Sequence, residues 1–185
     1  AMHIDDVLDR AHVVSLPLAV RFRGITTREA LLIEGPAGWG EFAPFLEYGQ
    51  AESAAWLRAG LEAAYEGFPE PVRDSIEVNA TIPAVPASEV PAVVERYPGC
   101  RTFKIKVAEK GHTLADDAAR VRAVRDAVTQ RGDIPILRVD ANGGWSVDEA
   151  VEAAQMMMPL DYMEQPCATT EELAQVRGRL MRAGL

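Results

Sequence analysis

The sequence predicts an α/β protein, with a small sheet-plus-helix unit over residues 1–72 followed by four strand–helix units over residues 73–185. After Pro71, short apolar strands alternate with amphipathic helices, the pattern of a parallel sheet with right-handed crossovers. Capping residues fall between those segments in the matching register. Three of the strand segments, Phe103-Lys-Ile-Lys-Val107, Leu137-Arg-Val-Asp-Ala-Asn142 and Tyr162-Met-Glu-Gln-Pro166, carry charges where a buried strand would be apolar. The sheet either rolls into a β/α barrel or stays open and doubly wound.

In chain order, His12 to Val20, rich in Val and Leu, and Arg28 to Glu34 are expected strands. Between them Arg21-Phe-Arg-Gly-Ile-Thr-Thr27 is expected as a solvated loop. The run Gly35-Pro-Ala-Gly-Trp-Gly40 is expected as a turn. It does not make a phosphate cradle, because no strand-to-helix context follows and no Lys-Ser/Thr pair is present. From Gln50 to Tyr65, Ala54, Ala55, Leu57, Leu61, Ala64 and Tyr65 recur at helical spacing, and Gly67 with Pro69 ends the helix.

In the second part the expected strands are Ile76 to Ile82, Arg101 to Val107, Ile134 to Ala141 and Asp161 to Gln165. The helices between and after them are Ser88 to Tyr97, Thr113 to Gln130, Ser146 to Met157 and Thr170 to Met181. Thr113, Ser146 and Thr170 occupy N-cap places, and Ser146 with Glu149 forms a capping box. Gly99 and Gly132 suit the left-handed position after a helix. The helix from Thr113 shows Ala118, Val121, Val124, Ala127 and Val128 on one face, with Arg120, Arg122 and Arg125 expected toward solvent. Met156 to Met158 is expected as core filler.

Composition narrows the function classes. With 48% hydrophobic residues the chain has ample material for a core, and no apolar run is long enough to span a bilayer. No signal-peptide pattern is present, so a cytoplasmic location is expected. Ala1 before Met2 reads as a scar of tag removal. Cys100 and Cys167 lie outside any metal-ligand spacing and read as free thiols. The net charge of −9 argues against nucleic acid as a partner, since counterion release needs a basic face.

Strand side chains alternate between faces. Lys104 and Lys106 therefore share one face, Arg138, Asp140 and Asn142 share another, and Glu164 stands alone among apolar neighbours. Phe103, Ile105, Val107, Leu137, Val139 and Met163 point the opposite way, toward a layer of helices. In a β/α barrel the chemistry lies at the carboxyl ends of the strands. The charges fall there, with Asn79 and Thr81 in phase on the first strand. Two strand-end carboxylates without nearby Cys or His make an all-oxygen site, suited to a hard cation such as Mg²⁺. Alone, a Lys-x-Lys pair is an ordinary exposed edge and Glu-Gln-Pro an ordinary loop. On consecutive strand–helix units they are specific, because buried charges are costly unless partnered.

Lys104-Ile-Lys106, then Val139-Asp-Ala-Asn-Gly-Gly-Trp145, then Met163-Glu-Gln-Pro166, preceded by Gly38-Trp-Gly-Glu-Phe-Ala-Pro44, resemble the enolase superfamily, muconate-lactonizing subgroup. Phe22-Arg-Gly-Ile-Thr26 and Val78-Asn-Ala-Thr81 resemble its dehydrating members in quinone biosynthesis. The resemblance implies a capping domain over residues 1–72 packed on a modified β/α barrel that binds one Mg²⁺ and a small carboxylate substrate. It implies Lys106 as the base, Lys104 as its supporting partner, and Asp140 and Glu164 as metal ligands, with Asn142 and Arg138 shaping the substrate site. Abstracting a proton α to a carboxylate requires stabilisation of the enediolate, which a divalent ion supplies. The metal and Lys104 both disfavour the ammonium form of Lys106.

The sequence departs from the family pattern by stopping after the fourth strand–helix unit, whereas a full barrel has eight strands and about 250 residues. A third acidic ligand and a second catalytic lysine, expected on the fifth and sixth strands, are missing from it. The expectation is a fragment, inactive alone, whose open apolar sheet edges favour self-association. Other members of the subgroup, the N-succinylamino acid racemases, dipeptide epimerases and muconate cycloisomerases, use the same lysines and metal. A non-catalytic half-barrel module is the alternative from another class. A doubly wound nucleotide-binding domain lacks its Gly-rich phosphate loop.

Overall fold

The computed structural model describes residues 3–22 and 25–185. The chain divides into two compact units between Asp74 and Ser75. The Ala1-Met2 pair lies outside the described residues.

The first unit holds α1 (Ile4–Leu8), a three-stranded antiparallel sheet of β1 (Ala11–Phe22), β2 (Ile25–Gly35) and β3 (Gly38–Phe42), and α2 (Gln50–Tyr65). α1 had no counterpart in the sequence reading: it is five residues long, with Val7 its single buried side chain. β1 and β2 pair from Ala11 opposite Ile33 to Pro17 opposite Thr27, and again at Phe22 opposite Ile25. The expected loop 21–27 is therefore mostly strand, because the β-branched run Ile25-Thr-Thr27 favours the extended backbone. Arg23 and Gly24, the middle of that expected loop, lie outside the described residues. The expected turn 35–40 contracts to Pro36-Ala37, since Gly35 already pairs with Gly38. The glycines beyond the turn serve contact. A Cβ on Gly40 would stand 1.9 Å from the Gly60 carbonyl oxygen, so α2 lies directly on the backbone of β3. Ile33 and Ala64 centre the small core there, with Leu57 and Leu61 of α2 packed against it.

The second unit is a parallel sheet of β4 (Ala80–Ile82), β5 (Thr102–Lys106), β6 (Ile136–Asp140) and β7 (Tyr162–Glu164), in that spatial order. Its helices are α3 (Val90–Val94), α4 (Leu114–Gln130), α5 (Val147–Met157) and α6 (Thr170–Ala183). Phe103, Ile105, Leu137 and Val139 share one core with Val94, Val121, Val124, Ala153 and Val176 from the four helices. Consecutive strands lie side by side with helices on the apolar face, the winding of a β/α barrel. A doubly wound sheet reverses its strand order and puts helices on both faces.

Several elements differ in extent from expectation. β4 is confined to Ala80–Ile82, the only part of the first predicted strand that pairs with β5. Ile76 and Val78, at 73% and 80% exposure, precede it unpaired in the sheet. The helix expected over 88–97 is a single tighter turn, Ala87–Glu89, and the five residues of α3. Pro98 disfavours helical backbone at Tyr97, and Gly99 completes the exit with φ 76°. α6 is capped by Thr169, not Thr170, because the reciprocal capping box needs the acid three residues on, which is Glu172. Thr113 and Ser146 cap α4 and α5 as their spacing predicts. Of the methionine run, Met157 is buried and Met156 exposed.

Arg120 departs most from expectation, since it is 1% exposed instead of facing solvent. It flanks the apolar stripe of α4 one turn from Asp117, which is equally buried and pairs with it at 2.7 Å. Arg125 is also held, donating to the carbonyls of Met157 at 2.8 Å and Pro159 at 3.1 Å. Arg122 alone of the three faces solvent.

Candidate active site at the carboxyl ends of the parallel strands

Strand register decides which side chains meet. Lys106 lies opposite Asp140, and Asp140 opposite Glu164, so the three form one row across β5, β6 and β7. One step toward the amino ends, Thr81, Lys104, Arg138 and Tyr162 form a second row. Partners in register present their side chains on the same face. Because the other face is filled by the helix-covered core, both rows lie on the side that a barrel would enclose.

The charges interlock. The Lys106 Nζ donates to Asp140 Oδ2 at 2.5 Å and to Asn142 Oδ1 at 3.0 Å. The Lys104 Nζ reaches up from the lower row, 3.1 Å from Glu164 Oε2 and 3.5 Å from Asp140 Oδ2. Asp140, 2% exposed, is thus shared by two ammonium groups and also accepts the Asn142 backbone N–H at 3.1 Å. Burial acts to raise its pKa, but the Lys106 hydrogen bond, the Asn142 N–H and the two lysine charges outweigh that, and the carboxyl is held below its ordinary value. Lys104 moves the opposite way. Burial acts to lower its pKa, while Glu164 and Asp140 together hold the ammonium above its ordinary value.

The backbone turns sharply where these strands end. Ala108, Asn142 and Gln165 have φ of 58°, 48° and 39°, in the left-handed region that side chains other than glycine avoid. They follow Lys106, Asp140 and Glu164 by one or two residues. Strained backbone of this kind gathers where side chains must be held for function.

The donor set suits a small hard cation. Its oxygens come from two carboxylates and the Asn142 amide, and the Lys104 ammonium already lies between Asp140 and Glu164. Mg²⁺ is commonly bound through one or two carboxylates, with water and substrate oxygens completing its shell. Among the described residues no cluster of three His, Cys, Asp or Glu gathers, and the carboxylates this row offers are the two of Asp140 and Glu164. A cation there would compete with Lys104 and Lys106 for Asp140 and release the lysine amines.

Of the sequence-predicted residues, Lys104, Lys106, Asp140, Asn142 and Glu164 come together. Arg138 belongs to a separate group in the lower row. Its Nε donates to Asp161 Oδ2 at 2.8 Å, its Nη1 to Asn79 Oδ1 at 3.0 Å, and its guanidinium lies 4.9 Å from the Tyr162 ring centroid. Sequence reasoning missed Asp117 and Arg120, which reach the end of β5 from α4. Their signal was an Asp-x-x-Arg pair interrupting an otherwise apolar helical stripe.

Comparisons with known proteins agree with this architecture. Residues 13–64 match the family model described as enolase N-terminal domain-like, and residues 87–184 the one described as enolase C-terminal domain-like. The o-succinylbenzoate synthase of Mycolicibacterium smegmatis is 59% identical over 180 residues, 96% of this chain and 54% of that protein. The o-succinylbenzoate synthase of Mycobacterium marinum is 59% identical over 181 residues, covering 96% of this chain and 53% of its own length. The chain thus spans about half the length of the curated relatives it matches. An enolase-superfamily crystal structure from Roseovarius nubinhibens, complexed with magnesium, superposes with a TM-score of 0.66 at 18% identity, over 92% of this chain and 61% of that one. With both domain models matched in order and the second spanning more than half of its residues, the chain belongs to the enolase superfamily.

Proposed function

We propose that this chain forms part of an o-succinylbenzoate synthase, a hydro-lyase that converts 2-succinyl-6-hydroxy-2,4-cyclohexadiene-1-carboxylate to o-succinylbenzoate in cytoplasmic menaquinone biosynthesis. The supporting observation is the row Lys106, Asp140, Glu164, which sets an amine beside two carboxylates at the carboxyl ends of consecutive parallel strands. The identity to synthases of that name directs the choice of substrate.

Asp140 and Glu164 would hold Mg²⁺, which when bound supplies positive charge against the negative charge developing on the substrate carboxylate. The chain's own groups carry the rest. Lys106, freed from Asp140, takes the proton α to the carboxylate, and the electron pair of that C–H bond forms the ring double bond as the β C–O bond breaks. The leaving hydroxyl receives a proton from the Lys106 ammonium and departs as water. Lys104, released from the carboxylates, supports Lys106 as a neighbouring positive charge, and Asn142 keeps the Lys106 amine aimed when Asp140 is engaged elsewhere. Arg138 offers a cation in the next row for the second carboxylate of this dianionic substrate.

Protein produced from the full open reading frame tests the proposal. Aromatisation of the substrate, followed by ultraviolet absorbance, should require Mg²⁺, and Lys106→Ala should lower kcat on the order of 10²- to 10⁴-fold, the usual worth of a positioned acid–base group. Near-normal turnover by Lys106→Ala would remove the assignment of the base. Faster turnover of N-succinylamino acids or dipeptides would move the function to another branch of the superfamily.

A further inference from the structure

We propose that Arg120 and Asp117 of α4 are positioning residues for the lysine strand, a buried clamp that fixes the backbone on both sides of Lys106. This rests on Lys106 being the base. The clamp itself stands on its own geometry.

Both side chains are 1% exposed, and their bonds converge on the end of β5. Arg120 Nη1 donates to the Lys106 carbonyl at 3.0 Å and to Asp117 Oδ1 at 2.7 Å. Its Nε donates to the Val85 carbonyl at 2.5 Å, in the segment that leaves β4. Its Nη2 lies 2.8 Å from His112 Nδ1, which must accept because a guanidinium has only donors. The other oxygen of Asp117 accepts the Ala108 backbone N–H at 2.9 Å. The pair therefore grips the carbonyl of Lys106 and the amide two residues later.

That grip falls on strained backbone. Ala108 has φ 58°, and its Cβ would stand 2.8 Å from a Cβ placed on Gly144, so the turn packs closely against the loop after β6. The Val107 N–H between the two gripped groups donates to the Asp140 carbonyl at 3.1 Å. The strand-end backbone of the amine and that of the carboxylate are thereby registered through one short segment, with the clamp behind it. A buried ion pair is costly to assemble and is often replaceable by apolar side chains of equal volume. One that bonds the backbone on both sides of a single lysine, at the Lys106 carbonyl and the Ala108 N–H, is placed to hold geometry, and a displacement of about 1 Å at a reacting group can cost on the order of 10²-fold in rate.

Two variants of the protein from the full open reading frame test this. In Asp117→Asn the amide has a single oxygen, so it cannot serve both Ala108 and Arg120. Arg120→Lys keeps the charge but cannot reach Val85, Lys106 and Asp117 together. Both should fold and retain KM, with kcat down on the order of 10²-fold. Amide hydrogen exchange at Ala108 should accelerate in Asp117→Asn well beyond any change at Ala153 of α5. Exchange at Ala108 rising only in step with Ala153, or kcat at the parent value in both variants, would overturn the clamp. Failure of both variants to fold would assign the pair to stability alone and overturn it too. Absence of turnover in the unmutated protein would count against the enzymatic reading, and exchange at Ala108 would still decide the clamp.

Discussion

Asp140 carries the heaviest electrostatic duty of any single residue in the site. It is buried, it faces two ammonium groups, and its carboxyl is held ionised below the ordinary carboxylate range. The folded chain therefore binds fewer protons at this group than the unfolded chain does. Its contribution to stability is intact above the ordinary value of 3.8 and is lost as pH falls through the depressed folded value. Lys104 behaves inversely: its raised pKa contributes fully below 10.5, and that contribution is lost as pH rises through the folded value. Asp140→Asn should lower the melting temperature at neutral pH and flatten its decline on acidification, measured by thermal denaturation across pH. An acid limb as steep as the parent's would show that other carboxylates dominate. The residues of this site were legible because a charge on a strand whose alternate positions are apolar has no ordinary place to go. Arg120 and Asp117 left only a faint trace, two charges along the apolar side of α4, for the complementary reason. Arginine on an amphipathic helix is ordinary at the surface, and only the tertiary position of the β4 and β5 ends, which supply the Val85 and Lys106 carbonyls, reveals it as buried.

At the scale of elements, caps and close contacts set the boundaries. The cap at Thr113 and the capping box at Ser146 were readable because they depend on residues close in sequence, and the cap at Thr169 was misread by one position because two threonines adjoin. Ser146→Ala should destabilise the chain by about 1 kcal/mol in denaturant unfolding, by leaving an amino-terminal N–H of α5 without its acceptor. The contact between α2 and β3 is less forgiving. Gly40→Ala would set a methyl group against the Gly60 backbone, which cannot swing aside as a side chain can, and should cost about 3 kcal/mol or more. Unfolding within a few tenths of a kcal/mol of the parent would mean that α2 shifts to make room. This contact was invisible in the sequence, where the glycines read as a turn, because close approach of two backbones leaves no periodic signal.

For the whole molecule, the adjacency of β5, β6 and β7 in the sheet turns three separate motifs into one site. Alternation of strands and helices announced a parallel sheet, while the choice between a barrel and a doubly wound sheet rested on spatial strand order, which local periodicity does not encode. In register, each of these three strands adds a charged residue to the same row, and the helices on the opposite face hold the row level. The metal that this row implies gives the most direct test of the account. Crystals of the protein from its full open reading frame, soaked in Mn²⁺ as an anomalous-scattering substitute for Mg²⁺, should show one peak about 2.1 Å from carboxylate oxygens of both Asp140 and Glu164, with the Lys106 amine withdrawn from Asp140. A peak remote from both carboxylates, or none with Lys106 still bound to Asp140, would contradict it.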